Sequence, residues 1–135
     1  MKHQLKGAWV LISGENVGWP VDRSAKGDSL RAAIKAVESY PETLRGADIP
    51  LYISREKADA YRDMMHPDEL MITADTIVWL DGQVLGKPKN REEAMQMLRD
   101  MSGRTHEVFT GVCITTTEWQ RLSLIHILRI LFYGI

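Results

Sequence analysis

The stretch from Met71 to Pro88, MITADTIVWLDGQVLGKP, constrains the fold of this chain more than any other. Its β-branched, aromatic-rich run is typical of a strand. The dipeptide Asp81-Gly82 is typical of a tight turn, and an apolar pair follows it. We therefore predict a hairpin over residues 77–85, with the rest of the domain built around it.

The unusual residue in this stretch is Asp75, in the group of residues 73–76 that interrupts the apolar run. A carboxylate among buried strand residues is costly unless it is paired, hydrogen-bonded or bound to a metal. The structural alternative is an Asp that only bonds nearby backbone amides. Lys87 follows the hairpin and returns a cation to the same neighbourhood, with a plain surface lysine as its alternative. We interpret Asp75 and Lys87 as the start of a site.

Length and composition predict one soluble globular domain. The chain has 135 residues, of which 44% are hydrophobic and 26% are charged. Its net charge of -1 gives no reason to expect nucleic acid or an anionic membrane as partner. No run reaches the ~20 apolar residues that span a bilayer. The single cysteine, Cys113, excludes an internal disulfide and predicts a buried thiol, a reducing compartment and a cytoplasmic protein.

Helical and strand patterns alternate along the chain, which predicts an α/β fold with a partly parallel sheet. In the third predicted helix, Asn90 and Glu93 resemble a capping box, Gly103 marks the end, and the methionines fill the core. Residues 122–135 are nearly all apolar and fit either a strand or a short amphipathic helix. The other predicted elements are a strand over 8–13, a helix from Asp28 or Ser29 to Val37, a helix from Asp48 to Met65, and a strand from His106 to Thr117.

Two further residues bear on chemistry. Lys57 lies at the edge of the apolar face of the second predicted helix, where a solvated lysine is the ordinary alternative. Glu38 forms a weak acidic cluster with Glu42, which is more typical of a solvated helix end than of a metal site. Carboxylates combined with lysines are typical of metal-assisted phosphate chemistry, since Mg²⁺ prefers oxygen ligands and lysine neutralises phosphate.

The chain resembles the Maf-like nucleotide pyrophosphatases over residues 36–114. The resemblance implies an inosine-triphosphatase-like α/β fold, with a mixed sheet flanked by helices, as one domain over residues 1–135. It implies hydrolysis of nucleoside triphosphates to the monophosphate and pyrophosphate with a divalent cation, usually Mg²⁺. The Ala-Asp-Thr form of the central motif is similar to the branch that acts on dTTP and UTP. The matching motifs are VESYPETL (37–44), REKADAY (55–61), TADTIVWLDGQVLGKP (73–88) and EEAMQMLRDMSGRTHEVFTGV (92–112).

The resemblance also implies roles for single residues. Asp75 is then the catalytic acid/base, and it holds the metal together with Glu38, although Val37 replaces the Asp that precedes this Glu in the family. The two lysines face the triphosphate and stabilise the leaving pyrophosphate. The catalytic positions are thus Asp75, Glu38, Lys57 and Lys87.

Substrate binding is implied for Thr76, at the position where the family tunes base or sugar specificity, and for Ser13. Ser13 matches the first serine of the family's Ser-x-Ser-Pro-Arg-Arg phosphate loop, which residues 14–35 otherwise lack. Residues 122–135 do not resemble the family's C-terminal portion, so we expect a fold truncated there. A reading-frame shift near residues 14–35 and a spurious end after about Arg121 would explain both departures.

Three hypotheses remain open from the sequence. The first is an active pyrophosphatase, forming a homodimer as is common among its relatives. The second is a remnant that binds a nucleotide or a partner without catalysis. The third is a fragment without a stable site.

Overall fold

The structure, a computed structural model, describes residues 9–10 and 39–130. The predicted helix ending at Val37 lies outside the described residues, as do Glu38 and Ser13. The described elements are β1 (Trp9–Val10), α1 (Asp48–Arg62), β2 (Met71–Leu80), β3 (Gln83–Leu85), α2 (Arg91–Met101), β4 (Thr105–Thr115) and β5 (Gln120–Ile130).

The strands form one sheet in the order β1-β2-β4-β5, with β3 paired to the end of β2. β1 runs parallel to β2, whereas β3, β4 and β5 pair antiparallel with their neighbours. The α/β fold and the mixed sheet are therefore confirmed. The parallel part is small because β3 reverses the chain once before α2, so β4 enters antiparallel to β2.

β2 is a single strand through the residues that were expected to interrupt it. Thr73, Asp75 and Thr76 pair in register with Cys113, Gly111 and Thr110 of β4. Backbone hydrogen bonds to β4, which runs beside nearly all of β2, hold these polar residues in the strand. This stabilisation comes from tertiary structure, so the local apolar pattern of the sequence does not predict it.

The predicted hairpin is confirmed. Asp81 and Gly82 both have positive φ, at 50° and 79°, as a two-residue turn of this hand requires. The Asp81 carboxylate also accepts a hydrogen bond from Arg104 Nη1 at 2.8 Å. The hairpin therefore fixes where β2 ends and sets the start of the segment that carries Lys87.

One face of the sheet is covered by α1, and this interface is the core. Cys113 is fully buried there, as predicted. The helix ends at Arg62, three residues before the predicted end. Its buried apolar residues Ile49, Ile53, Ala58 and Tyr61 pack against the sheet residues Met71, Ile77, Phe109 and Cys113.

α2 has the predicted cap but not the predicted burial. Asn90 Oδ1 accepts from the Glu93 N–H at 2.8 Å, while Glu93 Oε2 accepts from the Lys89 N–H at 2.7 Å. No residue of α2 is buried by the part of the chain that the structure describes. The expectation that its methionines fill the core is therefore wrong for these residues: Met97 and Met101 are only half-buried, and Leu98 on the same predicted face is 43% exposed.

Because packing contributes little to α2, its cap is expected to dominate its local stability. Asn90→Ala should cost about 1 kcal/mol, which corresponds to amide hydrogen exchange in α2 faster by about fivefold. Met95→Ala, in the same helix but with an exposed side chain, is the matched control. Equal exchange rates in the two variants would contradict this account.

β5 settles the choice left open for the last segment in favour of a strand, over Gln120–Ile130. It pairs with β4 along its length. Five of its large apolar side chains are exposed: Leu122, Leu124, Ile125, Ile127 and Leu128. Among the described residues, no helix is long and apolar enough to cross a membrane.

Candidate functional site

The site is centred on an ion pair between α1 and β2. Lys57 Nζ lies 3.5 Å from Asp75 Oδ1, and the two side chains are 8% and 19% exposed. The ammonium also donates a hydrogen bond to the backbone oxygen of Ala74 at 3.3 Å. Of the three ways to offset the cost of a buried carboxylate, the structure therefore shows pairing. Lys57 is not a solvated helix lysine but the partner of that carboxylate.

Two contacts hold α1 against the sheet beside this pair. A Cβ atom on Gly111, the residue opposite Asp75 in the ladder, would lie 2.5 Å from the Pro50 carbonyl carbon. The Thr73 hydroxyl donates to the backbone oxygen of Ser54 at 2.6 Å. Sequence reasoning missed both; its available signal was a glycine inside a strand pattern, which marks a close backbone approach.

Burial shifts both members of the pair towards their neutral forms. It raises the pKa of Asp75, against the opposing charges of Lys57 and Lys87. It lowers the pKa of Lys57, against the favourable charge and hydrogen bond of Asp75. A carboxylate whose pKa is raised is a stronger base than an ordinary carboxylate, and it therefore takes up a proton more readily.

The second carboxylate oxygen of Asp75 differs from the first in having no described partner. Oδ2 is buried and has no hydrogen-bond partner among the residues that the structure describes. Such an atom carries a desolvation penalty that a water proton or a cation would offset. One oxygen of Asp75 thus contacts Lys57, and the other has no described partner.

Lys87 supplies the second cation of the site. It is exposed in the segment after β3. Its charge lowers the pKa of both Asp75 and Lys57, so it lies within electrostatic range of the pair. The structure therefore brings together three of the four predicted catalytic residues, while the fourth, Glu38, lies outside the described residues.

Thr76 lies on the opposite face of the sheet from Asp75, because successive side chains of a strand alternate. Its hydroxyl is 2.8 Å from that of Thr110 on β4. The structure therefore does not bring Thr76 together with the Asp75–Lys57 pair. Its role, and that of Ser13 outside the described residues, stays a prediction.

A groove of about 260 Å³ opens on the same face as Asp75, further along β2. Trp79 is four residues after Asp75 and therefore shares its face, at about 13 Å between backbone positions. Tyr40 supplies a second aromatic side chain, and Arg45 and Gln83 supply polar groups. Sequence reasoning did not identify this groove, because its walls come from the loop before α1 and from both strands of the hairpin.

The donor set fits a magnesium ion only in part. Within residues 9–10 and 39–130, no group of three His, Cys, Asp or Glu side chains is placed to hold a metal. Mg²⁺ is commonly held by one or two carboxylates together with substrate phosphates and water. The unpartnered Oδ2 of Asp75 fits the role of one such carboxylate.

Comparison with known proteins gives consistent matches. The profile of the family described as Maf-like protein matches residues 23–132. A dTTP/UTP pyrophosphatase of Bacteroides thetaiotaomicron is 73% identical over 84 residues, covering 62% of this chain and 44% of that protein. Its counterpart in Phocaeicola vulgatus is 66% identical over the same shares. That of Flavobacterium johnsoniae is 44% identical over 66% of this chain and 45% of its own. The chain thus spans about half the length of the curated relatives it matches.

Proposed function

Because this chain belongs to the Maf-like protein family, we propose that its Asp75 cluster is the catalytic part of a nucleoside triphosphate pyrophosphatase acting on dTTP and UTP. One observation carries this proposal: a buried carboxylate has one oxygen on Lys57, the other without a described partner, and Lys87 in range. The names of the relatives support the reaction and the two substrates.

In the proposed reaction, Asp75 Oδ2 accepts a proton from water as the water oxygen attacks the α-phosphorus. The bond between that phosphorus and the oxygen bridging to the β-phosphorus breaks, which gives the nucleoside monophosphate and pyrophosphate. Negative charge develops on the leaving pyrophosphate, where Lys57 and Lys87 stabilise it. The raised pKa of Asp75 favours its part, because a stronger base takes the proton more readily.

We propose Mg²⁺ as cofactor, with Asp75 and Glu38 as its protein ligands. When bound, the ion would neutralise phosphate charge and lower the pKa of a coordinated water. The unpartnered Oδ2 of Asp75 supports this assignment, since its two lone pairs would serve the ion and the water proton separately.

The substrate panel tests the reaction. Pyrophosphate release from dTTP, UTP, CTP and GTP is measured with Mg²⁺, and release from dTTP and UTP above the other two is expected. Nucleotide binding without release would instead favour the non-catalytic hypothesis. A broad or absent melting transition would favour a fragment without a stable site.

The groove beside Trp79 is proposed to receive the nucleoside, since it shares a sheet face with Asp75 and offers aromatic faces for stacking. Trp79→Leu keeps an apolar side chain but removes the stacking surface, a loss of about 1–3 kcal/mol. We expect KM for dTTP and UTP to rise about tenfold, with kcat within about twofold.

Thr76→Val is the comparison variant, because it changes the opposite face with little change of shape. We expect its KM to stay within about twofold of the unchanged protein. The reverse result, with KM sensitive to Thr76 and not to Trp79, would place the nucleoside on the Thr76 face, as the family resemblance implies.

A cytoplasmic location, a homodimer and the lack of nucleic-acid binding remain proposals. The exposed apolar side chains of β5 support self-association. Sedimentation at several concentrations tests it.

A further inference from the structure

We infer that Gly111 is a positioning residue for the site: its missing side chain lets the first turn of α1 lie directly on β4 and thereby sets the spacing between Lys57 and Asp75. The catalytic part of this inference rests on the proposed function. The spacing itself does not, and it is measurable without substrate.

The contact at Gly111 is between backbones. An added Cβ would lie 2.5 Å from both the carbonyl carbon and the oxygen of Pro50, and 2.6 Å from the amide nitrogen of Leu51. No side-chain rotation relieves a clash with main-chain atoms, so the helix or the strand must shift. Pro50 lies in the first turn of α1, so a displacement at Pro50 is a displacement of the start of the helix.

The pair shares α1 with this contact, and its other member lies on β2, next to β4. Gly111 is the direct ladder partner of Asp75, so the close approach of the helix to the sheet lies beside the carboxylate. Lys57 comes seven residues after Pro50, or about 10 Å along the helix axis. A shift of α1 away from β4 therefore moves the ammonium relative to Asp75. The present distance of 3.5 Å is near the limit for an ion pair, which leaves little tolerance.

A second contact, between β2 and α1, also holds the helix in position. The hydroxyl of Thr73, two residues before Asp75 on the same face, donates to the Ser54 backbone oxygen at 2.6 Å. Thr73 is 1% exposed and Ser54 is fully buried. Close backbone approach thus holds the helix at Gly111, across from Asp75 on β4. A hydrogen bond holds it at Thr73, two residues before Asp75 on β2.

The first test measures the coupling between Lys57 and Asp75 by unfolding in urea. Lys57→Met, Asp75→Asn and the double variant are compared in the Gly111 protein and in Gly111→Ala. We expect a clear coupling in the first background and the loss of most of it in the second. A purely structural glycine would lower overall stability in every protein of the cycle and leave the coupling unchanged, which would overturn the inference.

The matched control is Cys113→Ala, in the same strand, on the same face and in the same interface with α1. It removes atoms where Gly111→Ala adds one, so it destabilises without pushing the helix outwards. We expect the coupling to persist in Cys113→Ala. Loss of coupling there as well would mean that stability, and not helix position, controls the pair.

Thr73→Val keeps the inference testable if Gly111→Ala does not fold. It removes the hydrogen bond to α1 with little change of shape and introduces no clash. We expect it to weaken the Lys57–Asp75 coupling to a smaller extent. An unchanged coupling would contradict the idea that the seating of α1 sets the pair.

Activity gives the catalytic readout. In folded Gly111→Ala, kcat for dTTP is expected to fall about tenfold to a hundredfold with a smaller change in KM, because a misplaced catalytic group affects mainly the chemical step. Lost coupling with unchanged kcat would refute the catalytic role of the pair but not the positioning. If no protein of the set, including the unchanged chain, releases pyrophosphate, the proposed function fails while the coupling result still stands.

Discussion

Asp75→Asn is expected to lower pyrophosphate release from dTTP and UTP by about 10²–10⁴-fold. Asparagine keeps the size of the side chain but accepts no proton at this position and carries no charge. Since Oδ2 is the carboxylate oxygen that has no described partner, its replacement removes the proposed base directly. The measurement is kcat for each nucleotide, in a variant whose cooperative melting is verified.

The control for this variant is Asp63→Asn. Asp63 is an exposed residue at the C-terminal cap of α1, where its backbone N–H and not its side chain makes the cap hydrogen bond. Its replacement is expected to leave kcat unchanged. A folded Asp75→Asn protein that retains turnover would remove Asp75 from the mechanism and, with it, the proposed role of the pair.

The sequence singled out Asp75 on physical grounds, but it gave no such grounds for the partner of Asp75. Asp75 was identifiable because an unpaired carboxylate in a strand is costly, and this reasoning holds whatever the partner is. The partner itself was not predictable from the residues, because Lys57 has the pattern of a solvated helix lysine. Only the family resemblance placed Lys57 among the site residues, as a lysine that faces the triphosphate. Its burial follows from the way α1 lies on the sheet, which is a long-range property.

Contacts between backbones were the hardest to foresee. A glycine inside a strand pattern signals a close backbone approach at Gly111, but nothing local reveals that Pro50 is the residue that makes it. The cap of α2, by contrast, was predicted correctly because Asn90 and Glu93 act within one turn. Its methionines were misjudged since a 3.6-residue period shows that an apolar face exists, not that the described residues cover it.

The other large effect concerns stability. Lys57→Met or Asp75→Asn alone leaves one charge in a mostly buried position without its partner. Breaking a fully buried pair costs about 3–5 kcal/mol, and this pair should lie at or below that range because the Asp75 side chain is 19% exposed. The measurement is the free energy of unfolding in urea.

The direction of the pKa shift of Asp75 predicts how its contribution to the free energy of unfolding changes with pH. The pKa of Asp75 is raised above its ordinary value of 3.8, so the folded protein binds a proton that the unfolded chain has released. The contribution of Asp75 to stability is therefore full below pH 3.8 and is lost as pH rises through its folded pKa. Relative to Asp75→Asn, the unchanged protein should thus be most stable in acid. Lys57→Met should raise the pKa of Asp75 further, since it removes an opposing charge.

An exposed pair supplies the matched control for the cycle. Arg104 and Asp81 form an ion pair at 2.8 Å, but their side chains are 57% and 66% exposed. Their coupling, from Arg104→Met and Asp81→Asn, should not exceed about 1 kcal/mol. A coupling between Lys57 and Asp75 no larger than this would mean that burial does not strengthen their interaction.

The double variant, Lys57→Met with Asp75→Asn, separates stability from function. With both charges removed no uncompensated charge remains, so its free energy of unfolding should recover to within about 1 kcal/mol of the unchanged protein, or exceed it. Its pyrophosphate release should nevertheless be lost as fully as in Asp75→Asn. A stable, inactive double variant would show that the buried pair is kept for chemistry at the expense of stability. If the double variant is instead less stable than either single one, the pair is a structural contact and its place in the proposed reaction loses its support.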